Sequence, residues 1–504
     1  MGSENIYEYE DFDLQIGSEN LKGRREYCSS FKSMSKPFCS DVTIWIQAYN
    51  NFEKTKRCIE SVLEYTKDID FDLILVDNNS GDETYSYFKQ VNYEKKTIIH
   101  FNKNTGSAFP FLMVPLDMIS KYFVLLNNDL IVTKNWLTNL LKVMNSDSSI
   151  GIVNPMSNNA SNYQCIDVKY SSYEQMQEIA ARMNISNPDK WEQRLRVVTL
   201  GTLIRKECLC AMGWPLFDIG FSHNFMDDDM SVRARRAGYK VYVAGDTWIC
   251  HDHSFDRNTD AEVVASYERD IRKYEEKYHG INPWDDIIES LVKVPNLLEN
   301  IEVSEKERVE ILGIDAKCGA NILDIKNICS YATEIVCHAY FQDAKYYTDL
   351  NTICNGKVIS DIENNLEYHF ADMKYDYIVI GEPINLYNDP IRMIKSAYKL
   401  LNAKGQLIFA LKNTRSLVTL MNIIGYSVGA NEIYQDISFD HMIAILNGNG
   451  IKIGSVVIEK YTNVSDDVLS LVENMIKNYA NTNINIGEIK ARIYADRFWV
   501  VIKK

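Results

Sequence analysis

Apolar runs and amphipathic segments alternate along the first half of the chain, and this alternation predicts its fold. Short apolar runs predict four strands, at residues 42–47, 71–76, 97–101 and 122–126. Apolar positions at helical spacing predict a helix between the first two strands: Cys58, Ile59, Val62 and Leu63. A further helix is predicted after residue 133, with Thr133 as its cap. Such alternation predicts an open, mostly parallel sheet with helices on both faces.

The same alternation begins again in the second half, after a charged helical stretch at 261–278 and a turn at 280–283. Predicted strands occupy 308–312, 358–360, 376–380 and 406–411, and 451–459 with 497–502 are expected to close the sheet as an antiparallel pair. We therefore predict an α/β protein with an N-terminal arm at 1–40, one α/β domain at 41–285, a linker at 286–306 and a second α/β domain at 307–504.

Composition narrows the class of protein. The chain has 504 residues, of which 46% are hydrophobic and 24% charged, as in ordinary globular proteins. Its net charge of −15 argues against binding nucleic acid or an anionic membrane face through general positive charge. No apolar run approaches the ~18–20 residues of a membrane span. The acidic start of the chain and the 11 cysteines without CxxC spacing predict a reduced, cytoplasmic protein.

Polar side chains follow three predicted strands of the first half, at 47–51, 77–80 and 127–129. In parallel α/β sheets ligands bind beyond the carboxyl ends of the strands. Asn127 and Asp129 are two residues apart and face the same way on an extended segment. Their oxygens suit Mg²⁺ or Mn²⁺ and a nucleotide ribose or diphosphate. The simpler interpretation is a polar turn after a strand.

Two further clusters lie downstream. Asp227, Asp228 and Asp229 open a short predicted helix that Gly238 would close. Carboxylates also stabilise a helix N-terminus, but three in a row exceed that need, and their repulsion should raise at least one pKa, as suits a general base. His251 and His253 could offer one imidazole to a metal, although a lone histidine is more often structural.

Seven segments in order resemble family 2 glycosyltransferases with the GT-A fold, over roughly residues 40–256. They are 42–50, 76–82, 104–106, the tip 127–129, 201–205, the acidic cluster with 233–238, and His251.

The resemblance implies a role for each matching position. Gln47, Ala48 and Tyr49 would lie along the nucleotide base and ribose, with Asp77 at the base edge. The other implied nucleotide-sugar contacts are Asn79, Gly106, Asn127, Asn128, Asp129 and Arg233. Asp129 and His251 would bind the metal, with His253 as an alternative to His251. Asp227 would be the catalytic base by register, with Asp228 as the alternative.

The sequence departs from the family pattern at several of these positions. Gln47 and Ala48 replace the usual Pro-Thr, Asn127 replaces the first acid of the D-x-D motif, and Met226 replaces a Glu. The implied reaction is a single in-line displacement with inversion, in which a divalent ion offsets charge on the nucleoside diphosphate.

Residues from about 305 to 504 resemble class I S-adenosylmethionine-dependent methyltransferases, which implies a second, Rossmann-like doubly wound domain. The glycine register of the cofactor loop falls on Gly313, Asp315, Lys317 and Gly319, and side chains at Asp315 and Lys317 would crowd a cofactor. The acid expected after the second strand is also missing, since residues 336–338 stand there, while Asp361 keeps the adenine-side position. We therefore do not expect S-adenosylmethionine to bind, and interpret the domain as non-catalytic, used for acceptor binding or assembly.

The whole chain is thus interpreted as an inverting, metal-dependent glycosyltransferase. The expected donor is a UDP-sugar, with N-acetylglucosamine preferred and a dTDP-rhamnose donor as the rival. The acceptor hydroxyl would belong to a surface glycan or to Ser/Thr of a protein such as flagellin. Two alternatives stay open: a bifunctional glycosyltransferase–methyltransferase, and a non-catalytic sugar-binding scaffold.

Overall fold

The structure, a computed structural model, describes residues 5–9, 34, 36–221, 224–252, 261–288, 290–329, 331–417, 434–460, 470, 474 and 486–504. The chain divides into two compact units, Met1–Ile288 and Glu289–Lys504. Among the described residues, no helix combines the length and apolar character that crossing a bilayer requires. Both units are α/β, which confirms the predicted fold class at that level.

One sheet organises the first unit. Its strands are β1 Asn5–Tyr9, β2 Val42–Ala48, β3 Phe71–Asp77, β4 Lys96–Phe101, β5 Tyr122–Asn127, β6 Leu130–Ile131, β7 Ile150–Ser157, β8 Trp191–Arg194, β9 Thr202–Arg205 and β10 Lys240–His251. The described helices are Phe52–Tyr65, Thr84–Gln90, Pro110–Met113, Trp136–Ser146, Tyr173–Met183, Lys206–Met212, Met226–Arg236 and Ala261–Lys277, with 3-10 turns at Leu116–Met118 and Pro188–Lys190.

The strands run in the order β1-β4-β3-β2-β5-β9-β7-β10-β6, and β8 pairs with β10. The first five strands in this order, from β1 to β5, are mutually parallel, whereas β9 runs antiparallel to β5 and β7. Every residue of β3 is buried, as expected for a strand covered on both faces. The helix Phe52–Tyr65 packs Cys58, Ile59 and Val62 into the core, as its spacing predicts.

Thr133 does not cap the helix that follows it, contrary to the sequence prediction. That helix begins at Trp136, after Asn135 in a left-handed conformation. The Thr133 hydroxyl instead donates a hydrogen bond to the carbonyl of Trp248, 2.6 Å away on β10. The threonine therefore ties the segment before the helix to the sheet. Gly238, in contrast, ends the helix Met226–Arg236 as predicted, with φ of 91°.

The second unit contains a seven-stranded sheet. Its strands are β11 Arg308–Ile314, β12 Glu334–Phe341, β13 Val358–Ser360, β14 Tyr375–Ile380, β15 Leu401–Lys412, β16 Ile453–Lys460 and β17 Ala495–Lys503. The described helices are Ala320–Ile328, Tyr347–Leu350, Leu366–His369, Pro390–Leu400, Phe439–Gly448 and Ile486–Ile493, with 3-10 turns at Leu291–Lys293, Leu298–Asn300, Ala344–Tyr346 and Ile384–Leu386.

These strands have the order β13-β12-β11-β14-β15-β17-β16. β17 runs antiparallel to both β15 and β16, whereas the other neighbouring strands are parallel, so the predicted closing pair is present. Because β11 lies centrally and the chain continues first to one side and then to the other, the unit has the strand arrangement of a doubly wound sheet. The switch point falls between β11 and β14, which are parallel neighbours.

Candidate active site

The loops after β2, β3 and β5 meet at one edge of the first sheet, because these strands are parallel neighbours. Asparagines at positive φ turn the chain there: Asn50 and Asn51 after β2, and Asn79 after β3. Asparagine tolerates this conformation better than other residues with a side chain. Gln47 donates from Nε2 to the carbonyl of Gly106, 3.2 Å away. The structure thus brings together the loops that the sequence predicts as a nucleotide site.

Accessible and buried positions differ within these loops. Tyr49 is 47% exposed, and Asn79 and Gly106 are also exposed. The Ala48 side chain is buried, so only its backbone could face a ligand.

Asp77 has a different place from the one the resemblance implies. Its carboxylate is fully buried and lies 2.7 Å from Nδ1 of His100, and it accepts a hydrogen bond from the backbone N–H of Ser80. The His100 ring is itself stacked on Tyr85. To reach a base edge, Asp77 would have to give up these bonds. In this structure it shapes the loop after β3.

The three side chains of the strand tip 127–129 have different partners. Asn128 donates from Nδ2 to the Asn50 carbonyl and to Oγ1 of Thr55, 2.8 Å away, and so joins the tip to the loop after β2. Asn127 and Asp129 are both half-buried at the sheet edge. Asn128 therefore supports the tip, while its two neighbours stay partly accessible at the edge of the sheet.

Asp129 meets His251 at the end of β10. The Asp129 Oδ2 atom is 3.3 Å from Nε2 of His251, while Nδ1 of the same ring lies 2.9 Å from the carbonyl of Asn159. The Asn159 contact fixes the ring so that Nε2 faces the carboxylate. Burial lowers the pKa of His251, but Asp129 and Asn159 raise it more, so the pKa is raised overall.

The Asp129–His251 pair fits a divalent ion that takes part of its ligands from the substrate. A carboxylate oxygen and an imidazole nitrogen are both ligands of Mn²⁺, and Mg²⁺ sites commonly use one or two carboxylates plus substrate phosphates. Among the described residues, no group of three or more His, Cys, Asp or Glu could hold a metal by itself. Two protein ligands would leave the other positions around a bound ion to phosphate oxygens and water. His253 lies outside the described residues.

The helix Met226–Arg236 separates the three acids that are adjacent in sequence. Asp227 is half-buried and accepts a hydrogen bond from the Thr199 hydroxyl, 2.6 Å away. Asp229 is fully buried, 2.7 Å from Nε of Arg233, and is also bonded to Lys277 and Tyr278. Asp229 and Arg233 thus hold the helix in place, and Arg233 does not face the sheet edge as a free cation.

Asp228 is buried against Arg196, whose Nε lies 2.8 Å from its Oδ1. Burial raises the pKa of Asp228 to about 6, opposed by Arg196 and increased by the neighbouring Asp227. The sequence predicted a raised pKa in this triplet from mutual repulsion, whereas the larger cause is loss of water. Of the two candidates for the catalytic base, Asp227 is the accessible one.

Two further residues of the site have no motif in the sequence. The Thr199 carbonyl accepts a weak hydrogen bond from Nδ2 of Asn127, at 3.5 Å, and the Thr199 hydroxyl donates one to Asp227. It therefore links the strand tip to the acid. The only signal in the sequence is that Thr199 lies two residues before Gly201, the first residue of the segment 201–205.

Lys54, in the first turn of the helix Phe52–Tyr65, is the second such residue. Its Nζ donates to the backbone carbonyl of Asp252, 2.5 Å away, directly after His251. The positive charge of Lys54 is close enough to lower the pKa of His251. A cation beside the Asp129–His251 pair would face the same phosphate groups as an ion bound by that pair.

In the second unit, Asp315 and Lys317 lie in the loop after β11, at positions where the resemblance would require glycines. Asp315 and Lys317 have φ of 44° and 49°, in the left-handed region. The Asp315 carboxylate accepts hydrogen bonds from Tyr387 Oη at 2.6 Å and from the Gln342 backbone N–H at 2.8 Å. These bonds connect the loop with the segments after β12 and β14, across the switch point.

One sequence-based argument about this unit is wrong. The second strand does not end at residues 336–338, because β12 continues to Phe341. Gln342 and Asp343 are the polar residues that follow it, so an acid is present next to the strand end. Asp361 follows β13, as expected, and is bonded to Nε2 of His369 at 2.9 Å.

Residues 43–194 match the family model described as glycosyl transferase family 2. The matched segment includes the loops after β2 and β3 and the tip 127–129, and it ends before Thr199, Asp227 and His251. This match confirms the family 2 part of the resemblance. Similar solved structures include a mannosyltransferase from Pyrobaculum calidifontis in complex with GDP-Man and Mn²⁺, at 14% identity over 53% of this chain and 73% of that chain, with a TM-score of 0.36. No curated protein matches the sequence.

The fold class, the loops at the sheet edge and the family match define the protein as an enzyme of the glycosyltransferase class. The similarity to family 2 glycosyltransferases covers residues 43–194 of its first unit.

Proposed function

We propose that the first unit, as a GT-A type domain, transfers a sugar from a nucleotide sugar to an acceptor hydroxyl with inversion at the anomeric carbon. The observation that carries this proposal is the linked set at the sheet edge, where Asp129 faces His251 and Thr199 connects Asn127 with Asp227. This set holds an anion-binding side and an accessible carboxylate on the same domain. A non-catalytic scaffold would not need the accessible carboxylate.

Asp227 acts as the general base in this proposal. Its carboxylate is half-buried, and the Thr199 hydroxyl holds one oxygen, which leaves the second oxygen to take the proton of the acceptor hydroxyl. The acceptor oxygen then attacks the anomeric carbon while the bond to the diphosphate breaks on the opposite face. Asp228 cannot serve this role without leaving Arg196 buried and unpaired.

Asp129 and His251 would hold Mn²⁺ or Mg²⁺ beside the donor diphosphate. When bound, the ion supplies positive charge against the leaving group. Tyr49, Asn79 and Gly106 are accessible for contacts with the base and ribose, and Asp77 keeps the loop after β3 in shape. UDP-N-acetylglucosamine is the proposed donor and dTDP-rhamnose its rival. The proposed acceptor is a surface glycan or a protein hydroxyl such as that of flagellin.

The second unit is proposed to be a methyltransferase-type domain without methyl transfer. The doubly wound strand order supports the fold, and the bonds from Asp315 to Tyr387 and Gln342 support the loss of cofactor binding. Titration with S-adenosylmethionine tests this point, and micromolar binding would favour the bifunctional alternative.

The donor is tested by release of the nucleoside diphosphate. Full-length protein is incubated with UDP-N-acetylglucosamine, dTDP-rhamnose and GDP-mannose, with Mn²⁺ or with EDTA. We expect Mn²⁺-dependent release from the UDP-sugar. No release from any donor, with or without acceptor extracts, would support a binding module instead.

The base is tested with Asp227→Asn. We expect transfer to fall at least 100-fold, because the amide cannot accept the proton. The thermal shift produced by donor and Mn²⁺ should stay close to that of the wild type, since Asp227 is not placed on the diphosphate side. Transfer at the wild-type rate would show that another group is the base.

A further inference from the structure

The second unit contains a cavity of about 660 Å³ at the carboxyl edge of its sheet. This volume lies within the range of small-molecule sites. Residues after four consecutive strands line it, among them Asp315 after β11, Gln342 after β12, Tyr368 after β13 and Glu382 after β14. Ligands of doubly wound sheets bind at this edge, so the position of the cavity already suggests a binding site.

The floor of the cavity is fixed by hydrogen bonds. Asp315 accepts bonds from Tyr387, from the Gln342 backbone and from the Gln342 amide, whose Nε2 lies 3.2 Å away. Burial raises the pKa of Asp315, and these bonds oppose that rise. A nucleotide lying across the loop after β11 would have to displace this network. The space that stays open lies above it, between the segments 362–368 and 386–396.

The charge of the lining disfavours anions. Five carboxylates line the cavity: Asp315, Glu363, Glu367, Glu382 and Asp389. Glu367 is paired with Lys399, Glu382 lies 3.7 Å from Lys317, and Arg392 is the one basic side chain among the lining residues, so the carboxylates still outnumber the cations. A phosphate or a carboxylate-bearing ligand would meet a field of its own sign. The occupant should therefore be neutral or positively charged.

The remaining lining groups suit hydroxyls. Asparagine and glutamine amides also line the cavity, and each amide offers both donors and an acceptor: Gln342, Asn364, Asn365 and Asn388. At the rim, Tyr368 is 81% exposed and Ile362 is 84% exposed. An aromatic ring at the mouth of a polar pocket can cover the C–H face of a sugar ring while its hydroxyl bonds to water or ligand.

We propose that this cavity binds a neutral or amine-bearing carbohydrate, held by the carboxylates and amides of the wall and covered by Tyr368. The ligand class deepens the proposed function of the enzyme, because a sugar chain is what a glycosyltransferase extends. Binding at the cavity does not itself require catalysis, so the two can be tested separately.

The test is direct binding to the full-length protein, without donor. The probes are chitobiose, a glucosamine dimer and a mannose dimer, measured by saturation-transfer NMR and by calorimetry. We expect at least one dimer to bind, and Tyr368→Ala and Glu363→Gln each to weaken that binding at least fivefold. Both residues are exposed, so neither change removes a core contact.

Tyr331→Ala is the matched control, since Tyr331 is 70% exposed in the same unit and does not line the cavity. It should leave binding unchanged, and Asp227→Asn should also bind the dimer normally while it fails to transfer. The proposal is overturned if no probe binds, if binding is insensitive to Tyr368→Ala, or if S-adenosylmethionine or inorganic phosphate occupies the cavity instead. If the wild-type protein binds the sugar but transfers none, only the catalytic assignment is contradicted.

Discussion

At the scale of the residue, Lys54 is the clearest addition to the donor side of the site. Its Nζ is held by the carbonyl of Asp252, beside the Asp129–His251 pair. The strand tip has one carboxylate where the resemblance implies two, because Asn127 replaces the first. A cation in the first turn of the helix Phe52–Tyr65 would then contribute to binding the diphosphate.

We expect Lys54→Met to raise the KM for the nucleotide sugar about tenfold, with a smaller change in kcat. A hydrogen bond to a charged group contributes about 1.5–3 kcal/mol, and loss of binding that is equal in ground and transition states appears in KM. Initial-rate kinetics at saturating acceptor measure the effect.

Lys56→Met is the control, because a residue two positions along a helix points to another side. It should leave KM unchanged. An equal effect of both substitutions would show that Lys54 acts only through the general charge of the helix.

The residues of the site differ in how far the sequence could identify them. Three adjacent acids are visible in the sequence, but their roles depend on the 100° turn between helical neighbours, which places Asp228 against Arg196 and Asp229 against Arg233. Thr199 and Lys54 act through contacts between segments far apart in sequence, so no local pattern reveals them. Asp77 was recognisable as part of a motif, but its burial was not.

At the scale of the element, buried strands were predictable and their ends were less so. A run that is apolar except for the buried Asp72 defines β3, because both faces of the strand are covered. The predicted end of β12 was wrong since its last residues, Ala339, Tyr340 and Phe341, follow a polar His338 that is buried inside the strand. Caps are equally hard to place, because Thr133 found a partner on β10 instead of on its own helix.

Asp147 connects three elements, and its removal should lower stability. It follows the helix Trp136–Ser146, accepts from the Ser149 backbone N–H at 2.8 Å and lies 2.6 Å from Nζ of Lys240 at the start of β10. Burial raises its pKa, but Lys240 and Ser149 outweigh this and lower the pKa to about 2.

We expect Asp147→Asn to cost about 0.5–1 kcal/mol at pH 7, a figure reduced for the partial exposure of both partners. Because the pKa of Asp147 is lower in the folded state than in the unfolded state, its carboxylate stabilises the folded protein at pH values above the unfolded-state pKa, near 4. This stabilisation is lost as the pH falls toward 2. Urea unfolding at pH 7 and pH 3 should therefore show a smaller difference between variant and wild type at pH 3. A constant difference would mean that the carboxylate's charge is not involved.

At the scale of the whole molecule, each unit has its own apolar core. One cluster is built around β2, β3 and β5, and another around β11, β14 and β15. The division of the chain into two α/β regions was predictable because the strand–helix pattern stops and begins again. The partial burial of the linker region was not predictable, because it involves residues far apart in sequence. For example, the Gln406 amide donates a hydrogen bond to the carbonyl of Glu302.

We expect two thermal transitions by calorimetry. A ligand that binds one folded unit stabilises that unit by mass action. UDP-N-acetylglucosamine with Mn²⁺ should therefore raise one transition by several degrees and leave the other in place. Asp129→Ala should abolish this shift while the transitions without ligand stay within a few degrees. A single transition that moves as a whole would indicate that both cores unfold together.

The backbone of the loop after β11 has a consequence for chain entropy. Glycine would visit the left-handed conformation freely, and it would also visit many others in the unfolded chain. Asp315 and Lys317 adopt that conformation at φ of 44° and 49° with side chains that restrict the alternatives. The folded loop therefore gives up less conformational freedom than a glycine loop would, and side-chain bonds to Gln342 and Tyr387 offset its strain. Because these bonds already hold the loop, binding above it would cost little ordering of its floor.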